Sequence, residues 1–207
     1  MSEFFLELFS EEIPAGLQKN LREKLLEDFQ NLFEKKLIKS KKSFSFSTPN
    51  RLVLIFEGLD KQIKIKSEEI KGPNINAPEI ALEGFIRSNN TTLEKIFKKS
   101  TEKGKFYFFK KETRKIKVSD LLEKNLSEIL TKITWKKSMK WANYDLYWGR
   151  PLKSILAIFN KKPLNFVFNH INSSNKTFID KSLEEGMKIF KDFNSYLKFF
   201  RQKGILI

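Results

Sequence analysis

An apolar stripe at helical spacing near the start of the chain restricts the fold more than any other sequence feature. Leucines and phenylalanines recur every three or four residues there, which predicts a long amphipathic helix from Pro14 to about Leu37. Such a helix must bury its stripe against another element. Stretches typical of buried strands lie on either side of it, at Ser2–Phe9 and Arg51–Phe56. The beginning of the chain therefore predicts a helix packed on a sheet.

Patterns typical of strands and helices continue along the rest of the chain. Alternating or apolar stretches predict further strands at Ser43–Ser47, Ile63–Lys66, Lys105–Lys111, Leu152–Phe159 and Leu164–Phe168, the last two as a hairpin. Residues typical of helix N-termini, followed by apolar periodicity, predict further helices at Pro78–Ile86, Thr91–Phe97, Ser119–Ile133 and Asp192–Lys203. This order predicts the α+β class, with a mixed, mainly antiparallel sheet and packed amphipathic helices.

Two short stretches complete the predicted organisation. Lys71–Asn74 has the composition of a loop, and Gly204–Ile207 is typical of the start of a buried strand. The sequence stops at that strand, which suggests an N-terminal piece of a longer protein. Because the chain becomes polar beyond Asn172, we expect residues 1–172 to form an N-terminal α+β region and residues 173–207 to begin the next segment.

The composition excludes several classes of catalytic site. The chain has no cysteine, which excludes disulfides, thiolate metal sites and a cysteine nucleophile. Its single histidine, His170, makes a multi-histidine metal site or a Ser-His triad hard to build. His170 could be a base, but a hydrogen-bonded structural histidine is the more common case. No phosphate-binding glycine loop or metalloprotease motif is present, so the motifs alone predict no active site.

The net charge of +15 points to a polyanionic partner such as RNA. The composition offers a second explanation, because only six of the 40 lysines and arginines are arginines. Lysine, phenylalanine, isoleucine and asparagine are all abundant, as an AT-biased genome would make them in any protein. The charge therefore supports contact with RNA or DNA without establishing it.

The stretch Trp135–Phe159 brings together the features that suit a nucleic-acid surface. It holds all three tryptophans, three lysines (Lys136, Lys137 and Lys140) and the pair Arg150-Pro151. Rings can stack on bases while cations neutralise phosphates. The same residues suit the edge of a core whose lysines reach water. The aromatic strand Lys105–Lys111 leaves the same two interpretations open, a stacking platform or a core.

Several short segments, taken in order, resemble one family. They read FFLELFSEEIP (Phe4–Pro14), STPNRLVL (Ser47–Leu54), IKGPNINAP (Ile70–Pro78), ALEGFIRS (Ala81–Ser88), WKKSMKW (Trp135–Trp141) and GRPLKSILAIF (Gly149–Phe159). This series resembles the N-terminal portion of the beta subunit of the tetrameric bacterial glycyl-tRNA synthetase. NSSNKT (Asn172–Thr177) is similar to the family's next segment, whereas Phe178–Lys181 stands where the family usually has Gly-His-Arg-Phe.

The resemblance implies a role in the ATP-dependent attachment of glycine to tRNA(Gly). In that family two alpha and two beta subunits form a tetramer. The alpha subunit makes glycyl-adenylate with ATP and Mg²⁺, and the beta subunit mainly grips tRNA. The resemblance therefore implies that this chain binds no cofactor of its own and has the alpha subunit and tRNA(Gly) as partners. It also implies that the beta subunit continues for several hundred residues into further domains.

For the contact with tRNA phosphates we predict Lys136, Lys137, Lys140 and Arg150, with Arg51 as a weaker candidate. Arg51 and Arg150 could instead pair with carboxylates at the edge of the core. Two alternatives to the aminoacylation role remain: a stand-alone basic RNA-binding module, and a structural assembly domain. The N-terminus lacks the features of a signal peptide, and no apolar run approaches the ~20 residues of a membrane span, so we expect a cytoplasmic protein.

Overall fold

A computed structural model describes residues 2–65, 67–141, 143–179 and 186–207 of the chain. Their contacts divide the chain into a main unit (Met1–Ile63 with Lys117–Ile207) and an inserted unit (Lys64–Ile116). The boundary predicted between residues 172 and 173 stays a prediction. The contacts place no division there, since one strand spans Ile171–Ser174.

The described residues form four α-helices, one 3₁₀ turn at Leu93–Lys95 and a series of mostly short strands. The strands are β1 (Ser2–Ser10), β2 (Lys42–Thr48), β3 (Arg51–Leu59), β4 (Gln62–Ile65), β5 (Glu68–Asn74), β6 (Ile96–Thr101), β7 (Gly104–Lys111), β8 (Arg114–Lys117), β9 (Met139–Lys140), β10 (Tyr147–Trp148), β11 (Leu152–Phe159), β12 (Lys162–Pro163), β13 (Val167–Phe168), β14 (Ile171–Ser174), β15 (Lys176–Phe178) and β16 (Met187–Ile189). The helices are α1 (Ala15–Lys35), α2 (Glu79–Ser88), α3 (Val118–Thr131) and α4 (Phe193–Gln202).

The main unit is built on one mixed sheet whose central strand is β1. The strand order is β13-β14-β11-β1-β3-β2, and β12 also pairs with β11. All the pairs are antiparallel except β11 with β14. This confirms the predicted class, a mixed and mainly antiparallel sheet with packed helices.

Helices cover both faces of this sheet. On one face, Phe4, Leu6 and Leu8 of β1 belong to a core that α1 and α3 complete. On the other face, Phe5 belongs to a second core to which α4 contributes Tyr196. Strands buried on both faces read as continuous apolar runs, because no side chain can point to water. This explains why β1, β3 and β11 show so little alternation with polar residues.

Four of the five predicted helices are confirmed, with shifts at their ends. Helix α1 follows Pro14, and α4 follows Asp192, whose carboxylate accepts a hydrogen bond from the Ser195 backbone N–H at 2.9 Å. Helix α3 begins before the predicted cap at Ser119, since Lys117 takes the cap position without a side-chain hydrogen bond. None of the described helices is long and apolar enough to cross a bilayer.

Several local predictions are wrong, most of them because of pairing between strands. The predicted loop Lys71–Asn74 lies in β5, which pairs with β7 through an irregular register. The predicted helix Thr91–Phe97 is a single 3₁₀ turn that leads into β6, because β6 forms a hairpin with β7. In the predicted hairpin, β12 pairs with β11 and the Leu164 backbone N–H donates to the Ala157 carbonyl at 3.0 Å, whereas β13 pairs with β14 instead. Gly204–Ile207 follow α4 without forming a strand.

The inserted unit has its own small sheet, with strand order β5-β7-β6 and helix α2 packed against it. Strands β4 and β8 pair with each other where the chain leaves and re-enters the main unit. No sequence pattern marks this division, since the inserted unit begins and ends within strands rather than in a linker.

Candidate nucleic-acid interface

The stretch from Trp135 to Arg150, which we call the Trp–Lys segment, is held in place by its tryptophans. Trp148 is buried, and its ring lies 5.1 Å from that of Trp135 and 5.5 Å from that of Phe168. The indole N–H of Trp141 donates to the carbonyl of Trp148 at 2.8 Å. Of the two interpretations left open for these rings, the edge of a core is therefore the one observed.

Gly149 fixes the backbone that carries Arg150. A Cβ atom at this position would lie 1.9 Å from a ring carbon of Trp135. Even alanine would therefore force the indole or the backbone to move. The close approach ties the C-terminal end of the Trp–Lys segment to its first residue.

The four basic residues predicted in this segment all have exposed side chains: Lys136, Lys137, Lys140 and Arg150. The ammonium of Lys140 lies 2.6 Å from Oδ1 of Asp145, and this hydrogen bond raises the pKa of Lys140 and lowers that of Asp145. Within residues 2–65, 67–141, 143–179 and 186–207, the other three cations have no carboxylate within ion-pair distance. They are available to an anion outside the chain.

Two tyrosines that no sequence motif singled out lie beside these cations. Tyr147 is 64% exposed and is the strand partner of Lys140 across β9 and β10. Tyr144 is 45% exposed and stacks on His170, with ring centroids 3.5 Å apart. His170 also has Nδ1 3.1 Å from Oδ1 of Asn169, in keeping with the structural interpretation of this histidine. The sequence signal that could have indicated an exposed Tyr147 is the alternation of side chains along a strand, since the next residue, Trp148, is buried.

Arg51 occupies the opposite kind of environment. It is only 3% exposed, and its Nη1 donates to Oε2 of Glu7 at 3.1 Å and to the hydroxyl of Thr177 at 3.3 Å. Its Nη2 donates to the carbonyls of Phe178 and Ile179 at 2.7 and 2.8 Å. The alternative of pairing with a carboxylate is therefore the one observed for Arg51, and its guanidinium presents no surface to a phosphate.

The Glu7 carboxylate is the common hydrogen-bond acceptor of this buried network. Its carboxylate accepts hydrogen bonds from the hydroxyls of Thr177 and Tyr196 as well as from Arg51. Burial, and next the negative charge of Glu7, raise the pKa of Tyr196 well above its ordinary value of 10.0. We call these four residues the Glu7–Arg51 network. It joins the segment after β14 and helix α4 to the central strands of the sheet.

Three of the sequence segments that carried the family resemblance meet at one end of the sheet. The backbone N–H of Ser10 donates to the carbonyl of Asn50 at 2.9 Å, and that of Glu11 donates to the carbonyl of Pro151 at 3.0 Å. The ammonium of Lys153 lies 3.0 Å from the Glu11 carboxylate. Segments far apart in the chain thus form one compact corner beside the Glu7–Arg51 network.

Comparison with known proteins agrees with the resemblance. The family model described as glycyl-tRNA synthetase beta subunit matches residues 4–207. The chain belongs to this family. Its relatives include the proteins named "Glycine--tRNA ligase beta subunit" from Rickettsia peacockii (strain Rustic) and Rickettsia prowazekii (strain Madrid E), which are 39% and 36% identical over 207 residues. Each match covers the whole chain but 31% of the relative, so the chain spans about a third of the length of these curated family members.

In this glycyl-tRNA synthetase family member, the Trp–Lys segment and the Glu7–Arg51 network place basic residues in opposite environments, the first exposed and the second buried. Among the residues that the structure describes, no three His, Cys, Asp or Glu side chains come together as a metal site. The exposed cations lie beside exposed tyrosines, whereas the buried network joins parts of the fold.

Proposed function

We propose that this chain is the N-terminal part of a glycyl-tRNA synthetase beta subunit and supports the ATP-dependent attachment of glycine to tRNA(Gly). It does so by contact with tRNA, with the alpha subunit or with both, and it supplies no catalytic residue. The observation that carries the proposal is the family match over residues 4–207. In this proposal the protein is cytoplasmic, and ATP and Mg²⁺ are used by the alpha subunit.

The Trp–Lys segment supplies the tRNA contact in this proposal. Lys136, Lys137 and Arg150 are exposed and unpaired within the described residues, so they can reach a phosphate without first breaking an ion pair. Lys140 must first break its ion pair with Asp145 to bind a phosphate. Because this pair is exposed, breaking it costs little free energy. The core-bound tryptophans hold the backbone of these cations in place, which lowers the entropy lost on binding.

The test is glycylation of tRNA by purified alpha subunit with full-length beta subunit. The beta subunit carries Lys136→Gln, Lys137→Gln and Lys140→Gln together. Without these three ammonium groups at the phosphates, the KM for tRNA should rise about tenfold, and the log–log slope of binding against salt should fall by roughly 0.7 to 0.9 per lysine replaced. Because the changed side chains touch no reacting group, kcat at saturating tRNA should change much less.

A matched control carries the same charge change elsewhere on the main unit, at the exposed residues Lys19, Lys35 and Lys124. This variant should retain the KM of the wild type. If the two triple variants behave alike, the Trp–Lys segment has no specific RNA role. If glycylation proceeds at the same rate with and without the beta subunit, the proposed function itself is overturned.

A further inference from the structure

One side of the inserted unit's sheet carries phenylalanines and lysines in alternation. In the hairpin of β6 and β7, Phe97 lies opposite Phe108, and Lys99 lies opposite Phe106. On the other side of β7, Lys71 lies opposite Phe108. Residues that are opposite each other in an antiparallel pair share a face. These five residues therefore lie on one side of the sheet, which we call the Lys–Phe face. Phe108 at its centre is buried, and the other four residues are exposed or partly exposed.

Helix α2 covers the other side of the sheet. A Cβ atom on Gly72 would lie 2.9 Å from the ring of Phe85 in that helix. A pocket at the C-terminal end of the helix, beside Ser88 and Asn89, is lined by Phe109, which alternates with Phe108 along β7. The Lys–Phe face thus points away from α2. Phe97 in this face is 37% exposed, and the side chain of Lys99 is 51% exposed.

The lysines of this face extend over its rings. The ammonium of Lys71 lies 3.5 Å from the centroid of Phe106, and that of Lys99 lies 5.5 Å from the centroid of Phe108. Each ammonium therefore reaches the ring diagonal to its own strand position. Lys99 also contacts Glu69 at 2.6 Å. A cation over a ring at an exposed site is a weak contact, which a ligand can displace.

The charge of the inserted unit favours an anionic ligand. Residues 64–116 contain thirteen lysines and arginines against seven glutamates and no aspartate. A ligand that matches the Lys–Phe face must offer negative charge and flat apolar rings at short intervals. Unpaired nucleotides do so, because their bases can leave the stack and lie on aromatic rings while their phosphates meet lysines. A duplex presents phosphates but keeps its bases stacked inside.

We propose that the Lys–Phe face binds unpaired nucleotides of RNA, with bases on Phe97 and Phe106 and phosphates at Lys71 and Lys99. The choice of RNA as ligand rests on the proposed function. The surface itself is separate from the Trp–Lys segment in sequence and belongs to the other unit. The inference therefore assigns single-strand recognition to the inserted unit.

The test measures fluorescence anisotropy of labelled oligo(U) and oligo(A), each about eight nucleotides long, with the 207-residue chain. The variant Phe97→Leu with Lys99→Gln removes one ring and one cation. Base stacking is worth about 1 to 3 kcal/mol per base, so loss of the ring should lower affinity by about 5- to 150-fold. The log–log slope of binding against salt should fall by about 0.7, because one lysine no longer neutralises a phosphate.

The control makes the same two chemical changes away from this face. It is Phe44→Leu with Lys98→Gln, where Phe44 is 42% exposed in β2 and Lys98 is on the α2 side of β6. This control should keep its affinity within twofold. A single change, Lys71→Gln, keeps every phenylalanine and should lower the salt dependence by about 0.7, so the test does not depend on the stability of the phenylalanine variant.

Equal reductions in affinity for variant and control would overturn the inference, and so would equal wild-type affinity for oligo(U) and for a duplex RNA of the same length. The proposed function fails by a different measurement, glycylation with the Lys136, Lys137 and Lys140 variant. Normal oligonucleotide binding by that variant with impaired binding by the Lys–Phe variant supports the inference whatever the glycylation result.

Discussion

Arg51 and the cations of the Trp–Lys segment look alike in the sequence, yet the fold gives them opposite environments. Arg51 lies in a central strand with helices over both sheet faces, and it donates to Glu7 and two carbonyls. Lys136 and Lys137 lie outside the large sheet, on an exposed segment whose tryptophans and Leu146 pack against the core. A cation in a basic sequence is therefore a candidate for RNA binding only if its backbone leaves it at the surface.

The physical reason for the difference is the cost of removing a charge from water. A buried guanidinium is tolerated only when its hydrogen bonds are replaced by fixed partners, which then hold it permanently. An exposed ammonium keeps its hydration and can exchange water for a phosphate, with release of counterions. The first arrangement stabilises the fold, and the second suits reversible binding.

The largest effect is expected at the centre of the buried network. Arg51→Met should lower the free energy of unfolding by about 3 to 5 kcal/mol, because it leaves the buried carboxylate of Glu7 without its charge partner. Urea denaturation followed by circular dichroism measures this. Lys136→Met is the matched control at an exposed cation and should change stability little. A decrease at Arg51 no greater than in the control would show that the network is not structural.

A smaller effect, which depends on pH, is expected at Tyr196. Tyr196→Phe removes a hydrogen bond to the Glu7 carboxylate and should cost about 1.5 to 3 kcal/mol at neutral pH. Because the pKa of Tyr196 is raised in the fold, the neutral hydroxyl stabilises the protein fully below the ordinary value of 10.0. This stabilisation is lost as the pH rises above 10.0, by about 1.4 kcal/mol per pH unit.

The measurement is urea denaturation of wild type and Tyr196→Phe at a series of pH values from neutral to alkaline. The stability difference between the two proteins should shrink above pH 10.0, where the unfolded wild type loses the phenol proton that the fold retains. The lysines and the other tyrosines titrate equally in both proteins, so their contributions to stability cancel in the difference. A difference that stays constant through this range would contradict the raised pKa.

The smallest effect on stability is expected in the Trp–Lys segment. Lys136→Gln with Lys137→Gln should change the free energy of unfolding by no more than about 0.5 kcal/mol, as for most exposed sites without partners. The same denaturation experiment measures it. A large decrease would mean that these lysines serve the fold, and the comparison with Arg51 would no longer hold.

Local patterns predicted most of the long elements. The apolar stripe of α1, the continuous apolar runs of β1, β3 and β11, and the Asp192 cap of α4 are all visible in sequence, because their signals come from neighbouring residues. The predictions fail where pairing with a distant strand determines the secondary structure of a segment. The segment after Thr91 has a helical start, but a hairpin partner in β7 makes most of it a strand.

The site was predicted in part for the same reason. The lysines of the Trp–Lys segment and Arg150 are exposed as an RNA contact requires, and their role in binding stays a prediction. Tyr196 was missed, since nothing near it in sequence marks it as a partner of a carboxylate 189 residues away. The inserted unit was missed too, because its boundaries have no linker composition.

The sequence by itself determined the family, the α+β class and the positions of the strongest helices and strands, because each of these is written in motifs or short-range periodicity. Only the tertiary structure decided which cations are free. Arg51 donates hydrogen bonds to Glu7 and Thr177, which are 44 and 126 residues away in the sequence. Strand register and the packing of later segments on the sheet bring these residues together. Burial depends on such distant contacts, and burial separates a charge that holds the fold together from one that can bind RNA.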